Sequence, residues 1–285
     1  MGIKEEIKEI SKDKGITDPA IIEKDYVISW ILRRLWVSGA WKSLIFKGGT
    51  ALKKVYFPDY RFSEDMDFNL LGGEAELEII RQTLENLTDG KGRSDSPAFM
   101  DVSIKEKEGR KYNPGKIVGY EIRIPYRLLR AGGEPAKIKM DLSVGRYEKT
   151  LLPPEERPII HNYSDYPAFS RVKVMAYSLE EIMAEKIRTI FQREGRPRDI
   201  YDIWYLSSRA DMERALSIVQ KKFEEKKMDF SDERLENTKD AFESNWGRMA
   251  VLAEDVPEFE EVWKAVETVC GRAEKVMRSG TEVEK

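Results

Sequence analysis

The spacing of hydrophobic residues alternates between the helical and the strand period in the first half of the chain. Asp18 followed by Pro19 is typical of a helix start, and apolar residues recur at helical spacing from there to about Trp36. The following stretches predict, in chain order, a strand over 43–46, a helix over 51–56, a strand over 62–71, a helix over 74–88, a loop over 89–97 and strands over 99–106, 117–126 and 136–144. A sheet combined with helices is therefore expected.

The second half of the chain has a different pattern. Four prolines fall within 145–170, which is predicted to be largely a connection. A capping box at Ser178 opens a helix to about Arg193, and a Gly-Arg-Pro break precedes the next helix. The remaining pattern is helical and strongly charged. We therefore expect an α+β fold with a core over 1–170 and a helical region over 171–285 that contributes to the active-site cleft.

The composition narrows the class of protein. Hydrophobic residues make up 41% of the 285 residues, which is enough to bury a core. The 49 Lys and Arg against 52 Asp and Glu give a formal net charge of −3. This balance excludes a domain held to nucleic acid by overall positive charge, but not a local basic groove. The charged start of the sequence and the lack of a long apolar run predict a cytoplasmic protein without a membrane-spanning helix.

Scarce cysteine and histidine limit the possible metal sites. Cys270 is the one cysteine and His161 the one histidine, which excludes an intramolecular disulfide and every multi-histidine metal site. Any divalent metal must be held mainly by Asp and Glu oxygens, which favours Mg²⁺ or Mn²⁺. His161 is expected to be a surface or packing residue rather than a base. The pair Lys24 and Asp25 could face the cleft, but a solvated pair is expected.

The most informative residues are a glycine pair and two aspartates. Asp65 and Asp67 would share one face of a strand, and two like charges side by side favour a cation between them. Gly48 and Gly49, between a strand and the helix that begins near Thr50, would let backbone N–H groups approach a phosphate. The alternative is a plain glycine turn beside two solvated acids. Together, in this order, the motifs favour phosphoryl or nucleotidyl transfer.

A third carboxylate, Asp141, lies on the polar face of the strand predicted over 136–144. If this strand pairs beside the strand of Asp65, three carboxylates converge, and Asp141 becomes a candidate general base and second metal ligand. Asp141 could equally be a surface acid paired with Lys139.

Charged residues that follow Ser178 are further candidates for a role in the active site. Lys186 lies beside an apolar helical stripe and is a candidate to neutralise triphosphate charge, or it extends outward to solvent. Asp199 and Asp202 occupy the first turn of the next helix, where they either complement the helix dipole or, for Asp199, orient Lys186 or Arg198. The arginines of this region either meet a nucleotide or RNA backbone or pair with nearby glutamates; they are Arg188, Arg193, Arg196 and Arg198.

The sequence resembles the AbiEii/AbiGii toxin nucleotidyltransferases, relatives of the polymerase-β type transferases. The resemblance covers roughly residues 20–206 and rests on four motifs in family order: FKGGTAL at 46–52, RFSEDMDF at 61–68, AEKIR at 184–188 and RDIYDI at 198–203. It implies a polymerase-β-like core of a mixed sheet flanked by helices. It further implies metal binding at Asp65 and Asp67, phosphate contact at 48–50, a motif serine at Ser63, and essential roles for Lys186 and Asp199.

The expected activity is magnesium-dependent transfer of a nucleoside monophosphate from an NTP to an acceptor. The resemblance implies an RNA acceptor, such as the 3′ end of tRNA, and a growth-arresting toxin held in check by a cognate antitoxin. Two alternatives stay open: transfer to a protein or small molecule, and a non-catalytic nucleotide-binding module.

Overall fold

A computed structural model describes residues 2–86, 96–109, 113–130, 132–230 and 235–282. Contacts divide the chain into two compact units. The first unit comprises Met1–Thr150, Pro154–Tyr177 and Val251–Glu254; the second comprises Leu151–Pro153, Ser178–Ala250 and Asp255–Lys285. The predicted loop over 89–97 falls largely on residues outside this description.

The first unit contains one mixed sheet and helices. Its helices are α1 (Ile3–Asp13), α2 (Pro19–Ser38), α3 (Gly48–Ala51), which continues as a π-helical turn over Leu52–Tyr56, and α4 (Glu74–Glu85). Its strands are β1 (Leu44–Lys47), β2 (Asp65–Leu70), β3 (Ala98–Phe99), β4 (Ser103–Glu108), β5 (Ile117–Arg127), β6 (Ala136–Val144), β7 (Glu155–Pro158) and β8 (Lys173–Ala176). Among the described residues the strand order is β3-β5-β6-β2-β1-β8-β7, and β4 also pairs with β5.

Two parallel pairings make the sheet mixed. β2 pairs with β6 in parallel, as β1 does with β8, and the other pairings are antiparallel. The alternation of β2 and β6 puts their apolar side chains on one face, where Met66, Phe68 and Met140 are buried. The acids of both strands consequently share the opposite, polar face. The register aligns Asp67 with Asp141.

Three parts of the sequence fold differently from expectation. Helix α1 was not predicted because lysines and glutamates dominate its sequence, yet Ile3 and Ile7, one turn apart, are buried. The strand predicted over 99–106 consists of the two short strands β3 and β4. The stretch 145–170 is not only a connection, since β7 within it pairs with β8. β7 has the sequence Glu-Glu-Arg-Pro, an edge strand that carries no apolar alternation.

The second unit is helical in its described residues. Its helices are α5 (Leu179–Ile190), α6 (Pro197–Ser207), α7 (Met212–Glu225), α8 (Lys239–Asn245) and α9 (Phe259–Glu282). The capping serine is confirmed, because Ser178 Oγ accepts a hydrogen bond from the Glu181 N–H. α5 packs against α6 and α7, and α9 packs against α6. No helix in the described ranges is long and apolar enough to cross a membrane.

Candidate active site

Two glycines begin α3 directly after β1, so the helix starts two residues earlier than the sequence predicts, and each glycine is required by what lies beside it. Gly48 has φ = +77°, and a Cβ there would lie 2.9 Å from Asp67 Oδ2. A Cβ on Gly49 would lie 2.5 Å from the Arg61 Nη2 atom. Only glycine therefore lets the backbone turn beside the Asp67 carboxylate and the buried Arg61 guanidinium.

We expect Gly48→Ala to lower the free energy of unfolding by about 1–3 kcal/mol, because alanine is strained at this φ, and also to displace Asp67. Gly39 is a matched control: its φ is +83°, but a Cβ there meets nothing within 4 Å. Urea unfolding should show a loss for both Gly48→Ala and Gly39→Ala, whereas nucleotidyl transfer should fall only for Gly48→Ala. Equal activity of the two variants would contradict a tight fit at Asp67.

A pair of hydroxyls ties the glycine turn to the strand of Asp65. Thr50 Oγ1 donates a hydrogen bond to Ser63 Oγ at 2.8 Å and also makes a short contact with the Asp65 carbonyl oxygen. Both Thr50 and Ser63 are buried. The structure thus brings Gly48, Gly49, Thr50 and Ser63 to the end of β2 where Asp65 and Asp67 lie.

The strand pairing on which the third carboxylate depends is present. β6 lies directly beside β2, with Asp141 across from Asp67 and Lys139 across from Asp65. On the other side of β2, Lys47 is across from Asp67. The polar face therefore brings Asp65, Asp67 and Asp141 onto neighbouring positions of two strands.

Asp141 is nevertheless held by two lysines. Lys107 Nζ lies 2.5 Å from Asp141 Oδ1, and Lys139 Nζ lies 2.8 Å from Oδ2. Burial alone would raise the pKa of Asp141, but the hydrogen bonds from the two lysines outweigh it and lower the pKa below its ordinary value. The pairing with Lys139 is the alternative that the sequence left open. The sequence does not predict the contact with Lys107, because Lys107 lies on β4 and comes near Asp141 only when β4 and β6 pair with β5.

In the part of the chain that the structure describes, no group of three or more acidic, histidine or cysteine side chains is arranged to hold a metal ion. Mg²⁺ in nucleotide-dependent enzymes, however, uses one or two carboxylates and completes its coordination with water and substrate phosphates. Asp65 and Asp67, on one face beside the glycine turn, fit that smaller ligand set.

In the second unit, Lys186 lies between two carboxylates. Its Nζ is 2.6 Å from Asp199 Oδ1 and 2.7 Å from Asp202 Oδ2. Asp199 and Asp202 lie one turn apart on α6, so that both reach the same ammonium group of α5. Asp202 is fully buried and Asp199 nearly so, and both carboxylates form ion pairs with Lys186, including the one whose role the sequence left undecided.

The four arginines singled out in the sequence differ in exposure. Arg188 is buried, and it contacts Gln192 at 2.5 Å and Glu185 at 3.6 Å. Arg193 and Arg196 are exposed, and Arg198 is half-buried. Arg188 therefore follows the alternative in which the arginines pair with neighbouring acids.

Two residues for which the sequence indicates no catalytic role, His161 and Asp25, are buried. His161 stacks on Phe169 at 3.7 Å between ring centroids, so the packing role is confirmed, and burial lowers its pKa. The expectation that Asp25 is solvated is wrong. Asp25 is buried and accepts hydrogen bonds from Lys54 Nζ at 2.8 Å and Tyr163 Oη at 2.9 Å. The lysine neutralises its charge, which makes burial of this carboxylate tolerable.

Next to this pair, Lys53 is buried at 7% exposure, and burial lowers its pKa from 10.5 to about 8. We expect Lys53→Met to raise the free energy of unfolding at pH 7 by up to about 3 kcal/mol, since one pKa unit is worth about 1.4 kcal/mol. Below pH 8 Lys53 is protonated in both the folded and the unfolded protein, so the folded state bears the full destabilising effect of the buried charge. Between pH 8 and 10.5 the unfolded chain binds more protons, so the wild type gains stability and the difference disappears. Urea unfolding from pH 7 to 10.5, with exposed Lys42→Met as control, checks this; no gain at pH 7 would contradict it.

The sequence matches a known family over most of its length. Residues 30–266 match the family described as Nucleotidyl transferase AbiEii toxin, Type IV TA system. The chain belongs to this family. The AbiEii match confirms the resemblance that rests on the four motifs, and it makes the protein a nucleotidyltransferase toxin of the type IV toxin–antitoxin class rather than a non-catalytic binding module.

Solved structures share the fold of this AbiEii protein. JHP933 from Helicobacter pylori is 15% identical, with a TM-score of 0.55 over 93% of this chain and 97% of that chain. MenT4, a nucleotidyltransferase toxin from Mycobacterium tuberculosis, is 18% identical, with a TM-score of 0.64 over 98% of this chain and 96% of that chain. This likeness confirms the expected α+β nucleotidyltransferase fold. No curated protein matches the sequence significantly.

Proposed function

We propose that this protein is a magnesium-dependent enzyme that transfers a nucleoside monophosphate from an NTP to RNA, at the 3′ end of a tRNA, and releases pyrophosphate. The observation that carries the proposal is the placement of Asp65 and Asp67 on one polar face, with the Gly48 turn directly against Asp67. The activity would arrest growth, and a cognate antitoxin protein would hold it in check, as family membership implies.

Asp65 and Asp67 would hold Mg²⁺, or Mn²⁺ in its place. The bound cation would neutralise phosphate charge and lower the pKa of the acceptor hydroxyl. The backbone N–H groups of 48–50 would bind the β- and γ-phosphates, because the glycines leave them uncovered by side chains. The Thr50 and Ser63 hydroxyls, which bond to each other, would keep that turn in register with β2.

Asp141 would accept the proton of the attacking hydroxyl. The two lysines keep it ionised, as a proton acceptor must be, but they also occupy both of its oxygens. Catalysis by Asp141 therefore requires that Lys107 or Lys139 turn away, and the phosphates of an incoming RNA are suitable partners for those lysines. Arg123 is a further cation nearby: it lies on β5, the strand between β4 and β6, and is across from Lys139.

Lys186 would offset the negative charge that develops on the triphosphate in the transition state. Asp199 and Asp202 would fix its ammonium group, and Arg198, at the start of α6, would contact the nucleotide. The two carboxylates restrict the rotamers of the Lys186 side chain before the substrate binds. This lowers the entropic cost of positioning its ammonium group in the transition state.

Incubation with each α-³²P-labelled NTP, Mg²⁺ and either total tRNA or cell protein tests the proposal. We expect label in tRNA with one preferred NTP, and none when EDTA replaces Mg²⁺. Label in protein alone would replace the RNA acceptor by the protein-modifying alternative. Label in neither fraction, from folded enzyme with every NTP, would contradict the proposed reaction.

A further inference from the structure

A pocket of about 130 Å³ lies in the first unit, apart from the sheet face. It is lined by residues of α1, α2, the π-helical turn, the 58–62 segment and the 160–163 segment, and by no residue proposed above for catalysis. A space of this size admits a small polyatomic ion.

The pocket wall contains a buried cation without a carboxylate partner. Lys53 Nζ donates to the Pro58 carbonyl oxygen and lies 4.4 Å from the centroid of the Phe62 ring, but it forms no ion pair among the described residues. The charge of Lys54, by contrast, is neutralised by Asp25. Lys14 is the third lysine of the lining, and its Nζ lies 3.2 Å from Glu254 Oε2. Asp25 and Asp59 also line the pocket and attract the Lys53 charge, but neither forms an ion pair with Lys53 in the described part of the chain. A buried charge without an ion-pair partner is costly, so an anion that contacts Lys53 would stabilise it.

The same wall contains a buried acceptor without a donor. Asp25 is 4% exposed and lines the pocket. Its Oδ2 accepts from Lys54 and Tyr163, whereas its Oδ1 is buried and has no hydrogen-bond partner in the described part of the chain. An unsatisfied buried carboxylate oxygen is destabilising until a donor reaches it. A ligand that satisfies both Lys53 and Asp25 Oδ1 therefore carries a negative charge and a proton that it can donate.

We propose that this pocket is an orthophosphate site, in which a phosphate oxygen accepts from Lys53 and a P–OH group donates to Asp25 Oδ1. Orthophosphate retains a proton at neutral pH, whereas sulfate, of the same shape, carries none. Burial lowers the pKa of Lys53 to about 8, and a bound anion would reverse that shift. The site lies at the end of the helical segment that begins at Gly48. A bound phosphate would therefore hold the 58–62 segment, which leads into β2, in place.

Calorimetric titration of the full-length protein at pH 7, with EDTA and at constant ionic strength, tests the site with inorganic phosphate and with sulfate. We expect saturable phosphate binding, at least tenfold tighter than sulfate binding, in the wild type, in Lys42→Met and in Asp65→Asn. Lys53→Met should weaken phosphate binding at least tenfold. Asp25→Asn should lower the preference for phosphate over sulfate, because an amide donates to an unprotonated oxygen.

Equal affinity for the two anions, unchanged affinity in Lys53→Met, or no saturable binding would each overturn the proposal. Lys53→Met replaces a buried cation with an apolar side chain and is expected to fold, so the test does not depend on the stability of Asp25→Asn. Phosphate binding that persists in Asp65→Asn would show that the pocket is distinct from the proposed metal site. The result is thus independent of whether nucleotidyl transfer to RNA occurs.

Discussion

Asp65→Asn is expected to lower nucleotidyl transfer by about a thousandfold or more, whichever NTP and acceptor the enzyme uses. The substitution keeps the shape of the side chain but removes one of the two carboxylate charges proposed to hold the cation. A catalytic metal contributes several kcal/mol to transition-state stabilisation, and about 4 kcal/mol corresponds to a thousandfold in rate. Because only a polar face is altered, the thermal unfolding midpoint should change little.

Glu64→Gln is the matched control for Asp65→Asn. Glu64 is the preceding residue, but its carboxylate lies 2.5 Å from Lys24 Nζ, in a pair that is not proposed to bind substrate. We expect Glu64→Gln to keep most of the transfer activity and, on induced expression, to arrest growth as the wild type does. Arrest by Asp65→Asn at wild-type protein levels would contradict a catalytic toxin.

Lys186→Met is expected to reduce the free energy of unfolding by about 3–5 kcal/mol, the usual cost of removing one partner from a buried ion pair. The loss leaves Asp199 and Asp202 with two buried charges on neighbouring turns and no cation between them. Urea unfolding measures the effect. Lys239→Met, which breaks the exposed pair with Glu260, serves as a control and should change stability little.

A second variant separates the structural role of Lys186 from its catalytic role. The double substitution Lys186→Met with Asp202→Asn removes one of the stranded charges, so part of the lost stability should return. Transfer activity should not return, because no ammonium group is restored. Recovery of both in the double variant would mean that Lys186 serves folding alone.

The motifs with local signals could be predicted from the sequence. Gly48 and Gly49 stand at a junction of the strand and helix periods, and Asp65 and Asp67 alternate with apolar residues, so the turn and the shared face follow from chain geometry. The break before α6 follows in the same way from Gly195 and Pro197. These elements are confirmed because neighbouring residues alone determine them.

The contacts between distant segments could not be predicted. The sequence does not determine the pairing of β6 with β2, since register depends on both strands. Lys107 reaches Asp141 through β4, whose alternation is too polar to identify its partner. Asp25 gave no signal of burial, because its counter-ion, Lys54, is 29 residues away. In each case the missing information is the partner, which no local pattern contains.

Crystals of the wild-type protein grown with Mn²⁺ and a non-hydrolysable NTP analogue would test the central claim most directly. Anomalous scattering locates Mn²⁺ independently of the protein density. We predict an anomalous peak at coordination distance from the carboxylates of Asp65 and Asp67, with the β- and γ-phosphates at the N–H groups of 48–50. A peak elsewhere in the protein, with the nucleotide ordered and those two carboxylates uncoordinated, would contradict it.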